Sequence, residues 1–188
     1  MQRNLKTCLG LLLAVLLSSC GAINRARGPV QTSAAGAERR HAGPAFAFTH
    51  RETWQVTEQP GAEAGEHSVQ VQGPGGFFVE LRSLQRTAHQ EGLPQQVAKA
   101  LKQAYPNLES KPLQREIGRH DAVGLSFSYM TPERRLNGWV VSRRHGESEL
   151  CVLAQWPEGA ARPHAEALED LLISVEWPRI ARQTATAP

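Results

Sequence analysis

At 188 residues the chain has room for one ordinary domain, since domains typically run ~100–150 residues. Its formal charge of +3 is badly placed for a nucleic-acid binder. Residues 46–188 hold 15 basic and 17 acidic side chains, a net of −2, and the positive excess sits in the first 45 residues, which argues against nucleic acid as a partner.

The N-terminus opens with Arg3 and Lys6, followed by an apolar run from Leu9 to Leu17. That run is far short of the ~20 residues a spanning helix needs. A basic start, a short apolar core and small residues at its end make a secretory signal, which is set apart from fold reasoning. Its ending, Leu17-Ser18-Ser19-Cys20, resembles the lipobox of bacterial lipoproteins: an aliphatic residue, two small residues, then cysteine. The resemblance implies that the Cys20 thiol receives a diacylglycerol, that the chain is cut before it, and that the new amino group is acylated. The competing reading is ordinary signal cleavage near Ala22, which discards Cys20. Each buried methylene contributes ~0.8 kcal/mol, so two or three acyl chains hold a protein that one would not. Gly21 after the cysteine, in place of aspartate, resembles outer-membrane sorting, with the protein facing the periplasm.

Loss of Arg3 and Lys6 with the signal takes the formal +3 to about +1. With Cys8 removed and Cys20 acylated, Cys151 is the one free thiol, so no intramolecular disulfide is expected although the compartment is oxidising. Residues 20–45 read as a flexible tether. They contain Gly21, Gly28, Pro29, Ser33, Gly36, Gly43 and Pro44, carry four arginines against Glu38 alone, and lack periodic apolar positions. The folded domain is expected over 46–178, with 179–188 as a polar tail.

Within the domain, Trp54 and Val56 alternate with polar neighbours, which predicts a first strand over Glu52–Thr57. Pro60-Gly61 opens a loop through Gly65. Ser68–Gln72 and Phe77–Leu84 alternate again around Gly73-Pro74-Gly75-Gly76, which predicts a hairpin. The glycine stretch lacks a following helix and the spacing or lysine of a phosphate loop. Leu93–Tyr105 reads as a helix: Pro94 suits the first turn, and Leu93, Val97, Ala100, Leu101 and Ala104 share a face. Strands are predicted over Leu113–Ile117, Ala122–Met130, Leu136–Arg144 and Glu149–Trp156. The third-last of these puts Val123, Leu125, Phe127 and Tyr129 on one face and the small Ala122, Gly124, Ser126 and Ser128 on the other, a face suited to close packing by a second layer. Pro163 starts a last helix with Leu168, Leu171, Leu172 and Val175 near one stripe, and Trp177-Pro178 closes it.

Strands, a helix, several strands and a helix make an α+β order, an antiparallel sheet covered by helices. The segments Gly73-Pro74-Gly75-Gly76-Phe77-Phe78-Val79-Glu80-Leu81, Gly138-Trp139-Val140-Val141, Leu150-Cys151-Val152-Leu153-Ala154 and Leu172-Ile173-Ser174-Val175 resemble the PsbP/DcrB-like superfamily. The resemblance spans Phe48 to Trp177 and rests on element order. It implies an α/β/α sandwich with a central antiparallel sheet of about six to seven strands, and a binding or assembly factor in place of an enzyme. No residue matches a family binding site, so no cofactor and no metal ligand is carried over.

Candidate chemistry is sparse. The histidines at 41, 50, 67, 89, 120, 145 and 164 form no pair of zinc spacing and read as solvated loop residues. Gly124-Leu125-Ser126-Phe127-Ser128 falls one glycine short of a nucleophile elbow, and His120-Asp121 stands nearby as an acid–base pair. Cys151 lies in an apolar strand, as an inert core thiol does. Glu166, Glu169 and Asp170 read as solvated charges on the last helix, and the four tryptophans (54, 139, 156, 177) as core anchors. Two functions follow. The first is a membrane-anchored, non-catalytic envelope lipoprotein with an envelope protein partner, and the second is an envelope hydrolase using Ser126 with His120 and Asp121.

Overall fold

Alternation of period two builds the centre of the domain into one antiparallel sheet. A computed structural model describes residues 37–60, 66–85, 92–145, 148–160 and 162–177. Cys20, the signal segment, His89, the loop 61–65 and the tail 179–188 lie outside the described residues. The described elements are β1 (Glu38–Ala42), β2 (Ala47–Arg51), β3 (Gln55–Pro60), β4 (His67–Gln72), β5 (Phe78–Gln85), α1 (Leu93–Ala104), β6 (Glu109–Ile117), β7 (His120–Met130), β8 (Arg135–His145), β9 (Ser148–Pro157) and α2 (Arg162–Ser174).

Seven strands pair in the order β3-β4-β5-β9-β8-β7-β6, and β1 and β2 form a separate two-stranded sheet. Every neighbour pair is antiparallel. After the first three strands, α1 carries the chain to the far edge. The next four strands return as a meander that sets Val152 of β9 opposite Leu81 of β5 and Val141 of β8. Strand β9 is covered on both faces, and so Leu150 to Ala154 read as an unbroken run of buried residues. Pro112 sits in β6, the edge strand, where its missing N–H costs no ladder bond to a second neighbour.

Helix α1 covers one face. Leu93, Val97 and Leu101 pack on Phe78, Phe127, Tyr129, Val140 and Leu153. Its start carries Pro94, its end is capped by the Tyr105 N–H donating to the Leu101 carbonyl (2.7 Å), and Lys102 Nζ ties down the connection that follows by donating to the carbonyls of Pro106 (2.8 Å) and Leu108 (2.9 Å). Helix α2 covers the other face through Ala167, Leu168, Leu171 and Leu172. It runs diagonally: His164, near its start, touches Phe77 beside β5, and Leu172, near its end, accepts the Gly118 N–H from the β6–β7 turn. The β1–β2 hairpin fills the area the diagonal leaves bare beside β3 and β4, burying Phe46 and Phe48 completely. Each such side chain contributes ~1.5–3 kcal/mol, and an isolated two-stranded hairpin is marginal by itself, so it is this burial that holds the hairpin in place. The result is the expected α+β sandwich, helices on both faces of a seven-stranded antiparallel sheet.

Four expectations need correction. The fold begins at Ala37, so residues 38–45 of the predicted tether belong to the hairpin. Four of the five β1 side chains are exposed, three of them charged, so the strand is held by its pairing with β2, which no apolar period signals. The predicted first strand at Glu52–Thr57 straddles a turn, with β2 ending at Arg51, β3 starting at Gln55 and Trp54 buried between them. Among the described histidines, 41, 50, 67, 120 and 145 stand in strands and 164 in α2, so they are not loop residues. His41 packs on Phe48, and burial holds its imidazole below the ordinary value, helped by His50 and opposed by Glu58. Of the small face of β7 only Ala122 is buried; Gly124, Ser126 and Ser128 stay half-exposed because α2 crosses elsewhere.

One buried acid makes stability pH-dependent. Glu80 of β5 faces α1, is 8% exposed, and accepts a 2.8 Å hydrogen bond from Ser68 Oγ. Burial raises its carboxyl above the ordinary 4.5, against the smaller opposing effects of Arg82 and Ser68. The folded state therefore holds a proton that the unfolded state has released. This contribution is fully present below about pH 4.5 and is lost as pH rises through the raised value. Glu80→Gln keeps an acceptor for Ser68 and removes the ionisable group. Its melting temperature should exceed that of the wild type by a few degrees at about pH 8, with the gap closing near pH 4; a gap of constant size across that range refutes the assignment.

Candidate functional site

The hairpin, the β6–β7 turn and the C-terminal half of α2 enclose a cleft of about 780 Å³. That volume is within the range of ligand sites. The hairpin turns at Gly43, whose N–H donates to the Phe46 carbonyl (2.9 Å). It is then fastened to the end of α2 by a backbone bridge, Ala47 N–H to Glu176 O (3.0 Å) and Glu176 N–H to Ala47 O (2.7 Å). Ser174 Oγ accepts the Thr49 N–H at 2.8 Å and donates to the Leu171 carbonyl at 2.7 Å. These bonds fix the distance between β2 and α2, and with it the width of the cleft.

Charge lines the walls. Arg51 reaches Asp170 Oδ2 at 2.9 Å and Glu38 Oε1 at 3.3 Å, so one guanidinium joins β1, β2 and α2. Arg40 Nη2 lies 2.7 Å from Glu176 Oε2. The hydrogen bond and charge of Arg40 hold the Glu176 carboxyl below its ordinary value, and the same contact raises Arg40. Both side chains are open to water, so the pair orients the rim more than it stabilises the fold. The β6–β7 turn has two central residues, Gly118 (φ 54°) and Arg119 (φ 65°), both in the positive-φ region the tightest hairpins require. At Gly118 a Cβ would stand 2.0 Å from the Val175 carbonyl oxygen, so the turn can dock on α2 only as glycine. Arg119 is the one described non-glycine residue with positive φ, and no described residue forms an ion pair with it.

The hydrolase arrangement is not assembled. Ser126 lies in the continuous strand β7 and its Oγ donates to the Lys111 carbonyl at 3.4 Å. His120 and Asp121 lie at the start of the same strand, ~17–20 Å away at ~3.4 Å per residue. Cys151 is buried in the layer beneath α1. Trp54 and Trp139 are fully buried, and Trp156 and Trp177 pack against the same core, as anchors do. Two carboxylates read as merely solvated have partners: Asp170 pairs with Arg51, and Glu169 with Arg115, whose guanidinium also lies 4.7 Å above the Trp139 ring. Among the described residues no three His, Cys, Asp or Glu side chains are grouped as metal ligands. Sequence reasoning missed Arg40, Arg51 and Arg119 as a set, because the partners of Arg40 and Arg51 lie up to 136 residues away and Arg119 joins them only through the packing of the β6–β7 turn on α2.

No protein-family model and no curated protein matches the chain. Solved structures do. The solution structure of cyanobacterial PsbP (CyanoP) from Synechocystis sp. PCC 6803 aligns with a TM-score of 0.54 at 10% identity, covering 80% of this chain and 100% of that one. This chain has a PsbP-like fold. The crystal structure of LpqN, involved in cell envelope biogenesis of Mycobacterium tuberculosis, aligns with a TM-score of 0.46 at 13% identity, covering 76% of this chain and 91% of that one. At such identities the likeness is one of fold alone, and the PsbP-like frame leaves chemistry to the residues. No helix among the described residues is long and apolar enough to cross a membrane.

Two serines separate packing from decoration. Ser174→Ala strands the half-buried Thr49 N–H and should cost ~1–2 kcal/mol in denaturant unfolding. Ser126→Ala should stay within ~0.5 kcal/mol of the wild type. Equal costs for the two would show that the Ser174 contact does not hold the hairpin.

Proposed function

We propose that the chain is a membrane-anchored envelope lipoprotein whose PsbP-like domain is a non-catalytic binding or assembly module. The observation that carries the binding half is the cleft between hairpin and α2, where the carboxylates of Glu38, Asp170 and Glu176 are matched with the guanidinium groups of Arg51 and Arg40. Paired charges of this kind suit recognition of a charged ligand. The anchoring half is supported by the order of basic start, short apolar core and Leu17-Ser18-Ser19-Cys20. Gly21 supports placement on an outer membrane, facing the periplasm, where acylated Cys20 sits in lipid and the domain meets an envelope protein. The net of −2 over residues 46–188 supports a partner other than nucleic acid.

Growth of producing cells with a radioactive fatty acid tests the anchor. The wild-type chain should carry label and Cys20→Ala should carry none, and the unlabelled variant should move from the membrane to the soluble fraction. Equal labelling of both proteins removes Cys20 from the account. Crosslinking in intact cells followed by affinity capture tests the binding half, with one recurrent envelope protein as the expected product.

A further inference from the structure

Which chemistry fits the cleft follows from its charges, its strain and its place on the domain. The walls carry three guanidinium groups, Arg40, Arg51 and Arg119, and three carboxylates, Glu38, Asp170 and Glu176. A purely anionic ligand would meet as much negative as positive charge there. A ligand bearing both signs would not, because it can set its anion against arginine and its cation against carboxylate. The end of α2 adds partial negative charge to the same wall, which favours a cationic group.

Arg119 supplies the anion half. It is held at φ 65°, a conformation that costs a non-glycine residue roughly 1–2 kcal/mol, at a turn where glycine or asparagine would be relaxed. Arg40 and Arg51 are already engaged by carboxylates, whereas Arg119 has no ion-pair partner among the described residues. Strain retained at a position with a free charged group marks a site used for something other than folding. Beside it Ile173, 57% exposed on the last turn of α2, puts an aliphatic side chain on the cleft wall.

Place supplies the partner. Glu38, on the cleft wall, is the second described residue of the chain, and residues 21–36 connect it to Cys20. A segment of 16 residues spans at most ~53–58 Å even when fully extended. An anchor at Cys20 therefore keeps this end of the domain close to the bilayer. We propose that the cleft formed by the β1–β2 hairpin, the β6–β7 turn and the end of α2 docks on zwitterionic phospholipid headgroups of the membrane that holds the chain's own anchor. Arg119 takes the phosphate, the ammonium replaces Arg40 at the exposed Glu176 carboxylate, and Ile173 enters the headgroup layer. The inference rests on the anchored reading and deepens it: the domain lies against its membrane by this face and leaves the remainder of its surface to a protein partner.

Flotation of the mature chain, residues 20–188 carrying Cys20→Ser so that no acyl chain contributes, tests this. The probes are vesicles of phosphatidylethanolamine with phosphatidylcholine, and vesicles of phosphatidylglycerol. The chain should bind the zwitterionic vesicles more strongly than the anionic ones. Arg119→Gly should weaken that binding about tenfold or more, the effect of losing one hydrogen bond between charged groups, and Ile173→Asp should weaken it as well. The Arg119→Gly melting temperature should equal or exceed that of the wild type, because glycine relaxes the turn, so that lost binding is not lost folding. Equal binding by wild type and Arg119→Gly, or binding to phosphatidylglycerol as strong as to the zwitterionic lipids, overturns the proposal. Fatty-acid labelling of Cys20 is unaffected by either result, and the vesicle measurement is unaffected by the labelling, so the two readings fail separately.

Discussion

The constraint that shapes this molecule is the covering of a seven-stranded sheet with only two helices. Both faces of the central strands are apolar, and water must be kept from each. Helix α1 lies over one face and completes a core with Phe127, Tyr129 and Val140. Helix α2 crosses the other on a diagonal and leaves a wedge open beside β3 and β4. Phe46 and Phe48 close that wedge, and the hairpin that brings them is held by their burial together with a single backbone bridge to Glu176. The cleft is the seam left where this added layer meets the helix. Its position follows from packing, and its charges from the residues that packing placed along the seam.

Polar contacts across the seam divide into two kinds. Those involving Ser174, Thr49, Ala47 and Glu176 backbone groups are half-buried and directional, and they set the separation of β2 from α2. The pair between Arg40 and Glu176 is exposed and weak in energy, and it fixes where charge points more than whether the chain folds. Arg51 lies between the two kinds: it is partly shielded and shared between Glu38 and Asp170. A recognition surface built this way tolerates exchange of its outer ion pairs while the frame beneath stays put. The same division explains why a PsbP-like frame at 10% identity carries no residue-level information about ligand.

The elements legible in the chain were those whose signal is local. The spacing of Leu93, Val97 and Leu101 and the position of Pro94 mark α1. The alternation through Val79 and Leu81, and through Phe127 and Tyr129, marks central strands, and Gly73 to Gly76 mark a turn between two of them. Ser126 illustrates a motif undone by the same alternation, since a residue in an unbroken strand cannot stand on a sharp elbow. The hairpin escaped because Glu38 to Ala42 have no apolar period, and because Gly43 and Pro44 read equally well as linker and as turn.

What the amino-acid sequence determined by itself was the class of fold and most element boundaries. Each depends on residues within one or two turns or strands of one another, so the order of side chains is enough. Only the tertiary structure decided that β1 and β2 cover the sheet, that Asp170 and Glu169 are partnered, and that Arg119, on a positive-φ turn, lines one cleft with Ile173. Those facts depend on groups more than fifty residues apart meeting across a packed seam. No local pattern records such a meeting, because the energy that selects it is the burial of Phe46 and Phe48 against a sheet assembled from the whole chain.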